Sequence, residues 1–577
     1  MISIFNKIFL KISIKFKSKF IFLFVLFLLN SAFELLGISL IIPIYKAIVD
    51  YQNLINSDDN FFFKNLSTLD INQNQIIIIF FILLVLIFIF KFLIYSFANK
   101  YNFNLIADLK TQISSKIFDN YASRDYIFFK QKNSSAIIRD LLIEVSEFCE
   151  RFVLPFVNIV LEFLIIFVLF SFLFFIEMKI TIFFSIYIIL FSFIFFRVIK
   201  RRILTAGELR FDIDEKKFSI LNNFIRNIKT IKIRNNESYF SKTFKKYIKD
   251  FENGYANFNY VQVLSKPVLE VLGIIFIFSW IIINIYLGEN FNELFLSVSL
   301  VIFVCLRTLP SINKIVYSYG QIKYAKPSIK IVNDELDKLN HKENFFKKKS
   351  LITFNKNILV ESVDFKYTDN TLNIFSNFNL KINKGDKICI LGKSGEGKTT
   401  LVELISGLLK PNNGKIILDD KKIFNSNFEY LNLAYVPQDL LLINGSIADN
   451  IAFNNEAIDQ KKLQQAINFS ELSMFVNSFK KKEFENVGEL GNRLSGGQKQ
   501  RIGLARCFYD NPDFIILDEA LNAIDEKTRI KILNNIFNFF TNKTIIYITH
   551  DNNFSQYFEK KYFLKDGNLN LIDLIFI

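Results

Sequence analysis

The sequence contains the stretch Gly392-Lys393-Ser394-Gly395-Glu396-Gly397-Lys398-Thr399-Thr400, and this stretch decides how the second half of the chain folds. It matches the pattern G-x-x-x-x-G-K followed by Ser or Thr, in which glycines let the backbone curl until its N–H groups face phosphate oxygens. An apolar run at 387–391 precedes the loop, and a helical pattern at 401–405 follows it. This setting predicts a nucleotide phosphate site, where Lys398 contacts the β- and γ-phosphates and the Thr399 hydroxyl ligates Mg²⁺.

The composition of the whole chain is typical of a protein with membrane spans. Of its 577 residues 51% are hydrophobic, 70 are Phe, and the net charge is +15. Such a charge fits either nucleic acid or a membrane surface, but the lysines are spread along the chain and several sit beside apolar runs, which favours the membrane. The four cysteines include no C-x-x-C and the chain has two histidines, so neither a disulfide framework nor a Cys or His metal site is predicted.

Six apolar runs in the first half have the length of membrane spans. They lie at 20–44, 76–97, 152–176, 180–196, 268–287 and 294–309. Lysines precede the first run and Lys200-Arg201-Arg202 follows the fourth, so the positive-inside rule places both termini in the cytoplasm. The mixed-charge sections 98–151 and 203–257 are then cytoplasmic, and the acidic segment 47–74 lies outside.

These patterns predict two folded parts. Residues 1–324 form an all-α membrane domain of six helices with two long cytoplasmic extensions. Residues 325–350 form a polar linker that includes Lys347-Lys348-Lys349. Residues 351–577 have the apolar strands and helical patterns of a cytoplasmic α/β P-loop ATPase domain.

The second half carries further residues that suit ATP hydrolysis. An apolar strand at 514–517 is followed by Asp518 and Glu519. The first carboxylate can hold Mg²⁺, and the second can accept a proton from an attacking water. A last strand ends in His550, which can hydrogen-bond the γ-phosphate and orient that water. Paired acids and a lone histidine are often only structural, but the preceding phosphate loop favours the catalytic interpretation.

Three other segments are predicted to contact the nucleotide. Tyr367 is placed to stack on an adenine, although an ordinary strand aromatic is an equally good interpretation of this residue. Gln438 is predicted to end a short strand, in the stretch Tyr435-Val436-Pro437-Gln438. The run Ser495-Gly496-Gly497-Gln498 begins a helix, whose free N–H groups form a second edge able to hold phosphate.

Together these motifs resemble the ATPase of ABC transporters across residues 351–577. The matches are the Walker A motif at 392–400, the Q-loop at Gln438, the signature motif at 494–498, the Walker B motif with its general base at Asp518 and Glu519, and the switch histidine at His550. The resemblance implies ATP and Mg²⁺, with Thr399, Gln438 and Asp518 around the metal. It makes Glu519, His550 and Lys398 the catalytic residues.

The chain departs from the pattern of this family at two positions. Asn522 stands where serine is usual, and Asp551 stands where arginine is common. Neither change removes a catalytic group, so a competent ATPase is expected, but communication between subunits is put in doubt.

The resemblance also implies an assembly. In this family each ATP is held between the Walker A face of one domain and the signature motif of another, and this chain has one of each. A homodimer with two equivalent sites follows, in agreement with the twofold symmetry of most self-complementary surfaces. Six spans ahead of one ATPase is the layout of an ABC exporter half-transporter, whose coupling helices we expect at 121–129 and 222–232.

Ionisable residues inside membrane spans are costly and usually mark a substrate path. The basic ones in or beside the predicted spans are Lys91, Lys266, Arg307 and Lys314. They suit a phosphate or pyrophosphate headgroup, for which the arginine offers a bidentate fork. The alternative is that these side chains snorkel to the interface. Three acidic residues also lie in the spans and can simply neutralise these basic side chains. They are Glu34, Glu162 and Glu270.

The whole chain also resembles the lipid-linked oligosaccharide flippases of bacterial protein N-glycosylation, the PglK type. The matching stretches in the membrane half are Phe33-Glu34, Ile38-Ser39-Leu40, Pro43 and 307–314. The resemblance implies ATP-driven movement of a polyprenyl-pyrophosphate oligosaccharide to the outer leaflet of the bacterial inner membrane. It also implies a short external helix, for which 51–69 is available, and headgroup contacts by the four cations. Three of these are lysine where that family has arginine.

Two other functions remain open at this point. The first is an exporter of the same architecture for lipids such as lipid A, for drugs or for peptides. The second is an ATPase that acts on nucleic acid, with the apolar runs buried in a large core. Six runs of bilayer length with a biased charge pattern argue against the second, so no nucleic-acid partner is predicted.

Overall fold

The computed structural model describes most of the chain. Described are residues 14–40, 43–44, 47–48, 73–176, 178–287, 291–338, 350–367, 373–419, 421–422, 429–453 and 457–572. The chain forms two compact units, residues 1–124 with 131–343 and residues 125–130 with 344–577. The external helix expected at 51–69 lies outside the described residues, as does 339–349 in the predicted linker.

The first unit is built on long helices. In the described part of the chain six of them span Ile14–Ser39, Gln73–Ala122, Leu154–Ile176, Met178–Arg226, Glu237–Leu287 and Phe291–Tyr324. Each predicted span thus overlaps a long helix, although the first helix ends at Ser39, before the predicted end of the first span at residue 44. Among the described residues, four stretches are long and apolar enough to cross a membrane, namely Phe16–Ser39, Gln73–Ala122, Ser134–Ile176 and Glu237–Ile283. A shorter apolar stretch, Met178–Leu190, begins the helix Met178–Arg226.

The apolar side chains of these helices are divided between lipid and the inside of the bundle. Phe92 and Leu93 are exposed, which is stable only in contact with lipid. Leu23 and Leu161 belong to a buried cluster between the first and third long helices. Association therefore depends on such close packing, since lipid is as apolar as the side chains themselves.

Short helices lie in the sections of the sequence that are predicted to be cytoplasmic. They are Tyr126–Gln131, Ser134–Arg139, Val145–Phe148 and Ile228–Ile233, with π-helical turns at Asp140–Glu144 and Cys149–Val153. The first and last of these helices overlap the segments expected to be coupling helices. A further helix, Lys326–Lys338, occupies the beginning of the predicted linker and belongs to the first unit.

A buried ion pair connects the long helix Met178–Arg226 with two of these shorter segments. The Arg210 guanidinium donates to the Glu144 carboxylate at 3.0 Å, and their side chains are 3% and 0% exposed. Arg210 also donates to the Ser328 hydroxyl at 2.9 Å, which lies on the helix of the predicted linker. Two charges buried in this way are stable only while each keeps its partner.

Replacing Glu144 with Ala is expected to destabilise the chain by about 3 kcal/mol, because the Arg210 guanidinium stays buried and loses its nearest carboxylate. Glu147, whose carboxylate is 3.6 Å from the guanidinium, limits the loss. Thermal unfolding of the detergent-purified chain measures the effect. The double variant Glu144→Leu, Arg210→Met should unfold at a higher temperature than the single variant. A single variant as stable as the parent would show that the pair has no structural importance.

The described residues of the second unit form three sheets. Its strands are β1 (Ser350–Ile352), β2 (Asn357–Phe365), β3 (Phe375–Asn383), β4 (Lys387–Gly392), β5 (Asn413–Leu418), β6 (Lys421–Lys422), β7 (Glu429–Leu431), β8 (Leu433–Val436), β9 (Phe514–Asp518), β10 (Thr544–Thr549), β11 (Lys560–Lys565) and β12 (Asn568–Leu571). Six form one sheet in the order β12-β11-β4-β10-β9-β8, which is parallel except for β12. An antiparallel sheet has the order β3-β2-β5-β6, and β1 pairs with β7.

The helices of the second unit cover the parallel sheet. They span Lys398–Ile405, Ile447–Ile451, Gln460–Phe469, Ser473–Asn477, Gly496–Asp510, Glu526–Phe539 and Asn552–Ser555, with 3₁₀ turns at Lys482–Phe484 and Glu489–Gly491. All residues of β9 and β10 are buried, as expected for strands covered on both faces. Because β10 lies between β4 and β9, the segments that follow these three strands meet at one edge of the sheet.

Candidate active site

The phosphate loop connects β4 to the helix Lys398–Ile405. Gly395 and Gly397 have φ angles of +89° and +95°, a region that side chains disfavour. A Cβ atom on Gly397 would lie 2.7 Å from the Ile374 side chain, so glycine is also required by space. The Lys398 ammonium donates to the carbonyls of Gly392 and Lys393 at 2.7 and 2.8 Å. The loop therefore curls around its own lysine, as the motif predicts.

The outer surface of the loop is open. Lys393, Ser394, Gly395 and Thr399 are exposed, whereas Lys398 is 8% exposed. The Glu396 carboxylate accepts a hydrogen bond from the Asp566 backbone N–H at 2.8 Å, which fixes one side of the loop against the turn between β11 and β12. The open surface is the one that a triphosphate would cover.

The first acid, Asp518, lies at the end of β9 and is buried. The Thr399 hydroxyl is 3.4 Å from its carboxylate, and the Tyr435 hydroxyl of β8 donates to the same oxygen at 3.1 Å. Burial raises the pKa of Asp518 above its ordinary value, and both hydrogen bonds act in the opposite direction. A hydroxyl and a carboxylate so close are hard oxygen donors of the kind that suits Mg²⁺. The motifs did not identify Tyr435.

The second acid, Glu519, has a φ angle of +50°, which is uncommon outside glycine. Its two carboxylate oxygens have different neighbours. His550 Nδ1 lies 3.4 Å from Oε1, and the Asn522 side-chain amide donates to Oε2 at 3.1 Å. The order of the strands thus brings together the acid after β9, the histidine after β10 and the loop after β4. The side chain of His550 is 65% exposed, so it faces open space at this edge.

Tyr367 has partners that the sequence did not predict. Its hydroxyl donates to the Glu403 carboxylate at 3.2 Å and lies 3.3 Å from the Thr400 hydroxyl. Lys130, in the short helix Tyr126–Gln131, contacts both Glu403 oxygens at 2.7 and 2.8 Å and lies 5.1 Å from the centre of the Tyr367 ring. This helix therefore contacts the residue predicted to stack on adenine. Lys130 and Glu403 are 273 residues apart in the sequence, so no local pattern predicts their contact.

The signature motif begins the helix Gly496–Asp510. The Ser495 hydroxyl accepts from the Gln498 backbone N–H at 3.3 Å, and the Gln498 side chain accepts from the Ser495 N–H at 2.8 Å. Ser495 and Gly496 are exposed, and Gly497 lies so close to the Ala523 carbonyl that a Cβ atom would be 2.7 Å from it. Gln438, two residues after β8, is exposed as well. The signature motif thus presents an open helix N-terminus to an outside ligand.

Each of the four basic residues proposed for the substrate path is paired with an acid. Lys91 is 2.6 Å from Glu34, and Arg307 binds the same carboxylate. Two other pairs are separate from this cluster, Lys314 with Glu162 at 2.8 Å and Lys266 with Glu270 at 3.8 Å.

Family models match both units. The model for the ABC transporter transmembrane region matches residues 20–308, and the ABC transporter model matches residues 375–522. The chain belongs to the ABC transporter family. ABC transporters couple ATP hydrolysis to transport, so this chain is an ATPase of the exporter type, and the predicted fold class is confirmed.

Individual relatives agree with this assignment. The heterocyst differentiation ATP-binding protein HepA of Nostoc sp. is 26% identical over 460 residues, 79% of this chain and 74% of that protein. The alpha-hemolysin translocation ATP-binding protein HlyB of Escherichia coli is 35% identical over 210 residues, which is 36% of this chain and 30% of HlyB. A bacterial Atm1-family ABC exporter with ATP bound has the same fold, with a TM-score of 0.78 at 18% identity over 96% of this chain and 94% of that one.

Replacing Glu519 with Gln is expected to lower kcat for ATP hydrolysis at least about a hundredfold, because the amide cannot accept a proton from water. ATP should still bind, since the phosphate loop is unchanged. Steady-state hydrolysis and binding of a fluorescent ATP analogue measure the two effects, with Glu526→Gln on the next helix as the control. Turnover near the parent rate would exclude Glu519 as the base.

Replacing Tyr435 with Phe removes the hydroxyl that donates to Asp518. We expect kcat to fall roughly tenfold, the equivalent of about 1.5 kcal/mol for one hydrogen bond to a charged partner. Tyr562→Phe, in β11, is the matched control for loss of a strand hydroxyl. An equal change in both variants, or none in either, would contradict a contribution of Tyr435 to the site.

Proposed function

We propose that two copies of this chain form an ATP-driven flippase that moves a lipid-linked oligosaccharide to the outer leaflet of the bacterial inner membrane. The observation that carries this proposal is the cluster formed by Lys91, Glu34 and Arg307 among the long apolar helices. Its two cations and one carboxylate leave one net positive charge, which suits an anionic headgroup such as a pyrophosphate.

The cluster joins three helices that are distant in the sequence. Glu34 lies on Ile14–Ser39, Lys91 on Gln73–Ala122 and Arg307 on Phe291–Tyr324. The Glu34 side chain is 5% exposed, whereas the Lys91 and Arg307 side chains are 20% and 27% exposed. The carboxylate is therefore buried, whereas part of each cationic side chain remains accessible to a ligand. Near a membrane interior, the surplus charge is stabilised when an anion binds that edge.

The other two cations have a different environment. Lys314 with Glu162 and Lys266 with Glu270 are pairs with no net charge. The Lys266 side chain is also 71% exposed, as expected for a residue that snorkels to the interface. We therefore assign the headgroup contact to Lys91 and Arg307, and regard the remaining two as secondary.

The ATP site of this proposal is shared between two chains. One chain supplies the phosphate loop, Tyr367, Gln438, the acids and His550, and the exposed signature motif of the second chain covers the triphosphate. Mg²⁺ would be held by Thr399 and Asp518 with Gln438 nearby, and when bound it neutralises charge on the phosphates. Lys398 binds the phosphates, Glu519 takes the proton of the attacking water, and His550 orients that water.

The test is reconstitution of the purified chain in vesicles that contain a fluorescent polyprenyl-pyrophosphate sugar. We expect this lipid to stimulate ATP hydrolysis. When ATP is added outside, chains whose nucleotide units face outward should move the lipid to the inner leaflet of the vesicle, so that it becomes protected from an outside quencher only when ATP is supplied. HlyB is named for toxin translocation, so a peptide and a hydrophobic drug serve as competing substrates. Stimulation by either of these, with no response to the lipid, would overturn the flippase proposal and favour an exporter.

Replacing Arg307 with Ala is expected to reduce lipid flipping at least about tenfold, because a charge-assisted bond to the headgroup is lost. Glu34 keeps Lys91 as its partner in this variant, so the fold should be retained. Flipping is measured relative to hydrolysis without lipid, and Lys266→Ala is the matched control that removes a cation outside the cluster. Equal effects of both variants would show that the cluster has no special role.

A further inference from the structure

Arg529 connects the segment after the Walker B acids to the segment after the switch histidine. It lies on the helix Glu526–Phe539, and its side chain is 13% exposed. One terminal nitrogen of the guanidinium is 3.2 Å from the Asp551 carboxylate. The other donates to the backbone carbonyls of Asn522 and Ile524 at 3.4 and 3.1 Å. The guanidinium also packs on the Phe554 ring at 4.4 Å, which limits its movement.

Both segments held by Arg529 carry a side chain that contacts the predicted base. Asn522 donates to one carboxylate oxygen of Glu519, and His550, adjacent to Asp551, lies beside the other. The two segments therefore contact the Glu519 carboxylate at its two different oxygens.

Asp551 is itself firmly placed. Its carboxylate accepts from the Asn553 backbone N–H at 3.0 Å, and its own N–H donates to the Thr549 hydroxyl at 3.1 Å. Asp551 thus begins the helix Asn552–Ser555 and continues directly from β10. Because Arg529 lies on a helix and Asp551 begins one, the ion pair between them couples the positions of the two segments.

The backbone at Glu519 needs this support. A positive φ angle at a non-glycine residue costs of order 1–3 kcal/mol and persists only where the surroundings fix it. Two contacts supply part of the support: the Glu519 N–H donates to the Ile548 carbonyl at 2.9 Å, and the Gln500 side chain donates to the Glu519 carbonyl at 3.3 Å. These two contacts fix the backbone of Glu519, whereas its side chain is contacted by Asn522 and His550.

We propose that Arg529 and Asp551 form a clamp that positions Glu519 for the attacking water. Neither residue touches Glu519, so both are positioning residues and not catalytic ones. The clamp contacts both positions at which the chain departs from the usual pattern of its family, Asn522 and Asp551. One arginine on a neighbouring helix holds both altered segments. This inference concerns ATP hydrolysis alone and is independent of the transported substrate.

The variants Arg529→Met and Asp551→Asn test the clamp in the full chain, reconstituted in vesicles. We expect each to lower kcat for ATP hydrolysis about tenfold, because the base is displaced, while KM for ATP changes less than about twofold. Lys527→Met, an exposed lysine on the same helix, is the matched control and should keep the parent kcat.

The reciprocal double variant Arg529→Asp with Asp551→Arg exchanges the two charges and so restores an ion pair between the segments. It should recover kcat at least about threefold relative to Arg529→Met, since the bridge between the segments returns while the donors to the Asn522 and Ile524 carbonyls do not. Parent-like kcat in both single variants would overturn the proposal. So would a parallel loss of ATP binding and thermal stability without recovery in the reciprocal variant, because that pattern indicates a purely structural residue.

Discussion

The constraint on which the nucleotide half depends is the order of three parallel strands. β10 lies between β4 and β9, so the phosphate loop, the switch histidine and the two acids leave the sheet at the same edge. Each strand is a buried apolar run that ends abruptly in polar residues. Burial of the strands fixes their register. The register in turn places Thr399 beside Asp518 and Glu519 beside His550, each pair at 3.4 Å.

The membrane half obeys a different constraint. Its helices expose apolar side chains to lipid, so a charge inside the bundle is tolerated only beside an opposite charge. Glu34 shows the consequence, since one hidden carboxylate holds two cations from two other helices. The surplus charge is what makes this cluster a better candidate for an anionic headgroup than the neutral pairs made by Lys266 and Lys314.

The sequence predicts what contiguous motifs encode, and it misses what depends on distant partners. The loop at 392–400, the acids after β9 and a helix at each span follow from local pattern and length. The partners of Tyr367 and the ion pairs of Glu34 do not, because they join residues more than 200 positions apart in some cases. Arg529 was missed for another reason. A lone arginine on an amphipathic helix usually belongs to the solvent-exposed face and has no further role.

The central claim is that a complete ATP site needs a phosphate loop and a signature motif from two different chains. Lipid nanodiscs that hold one copy of the chain can be separated by mass from those that hold two, and ATP turnover per copy can be measured in each. The account predicts turnover in the two-copy discs and none above background in the one-copy discs. Equal turnover per copy in both would contradict it.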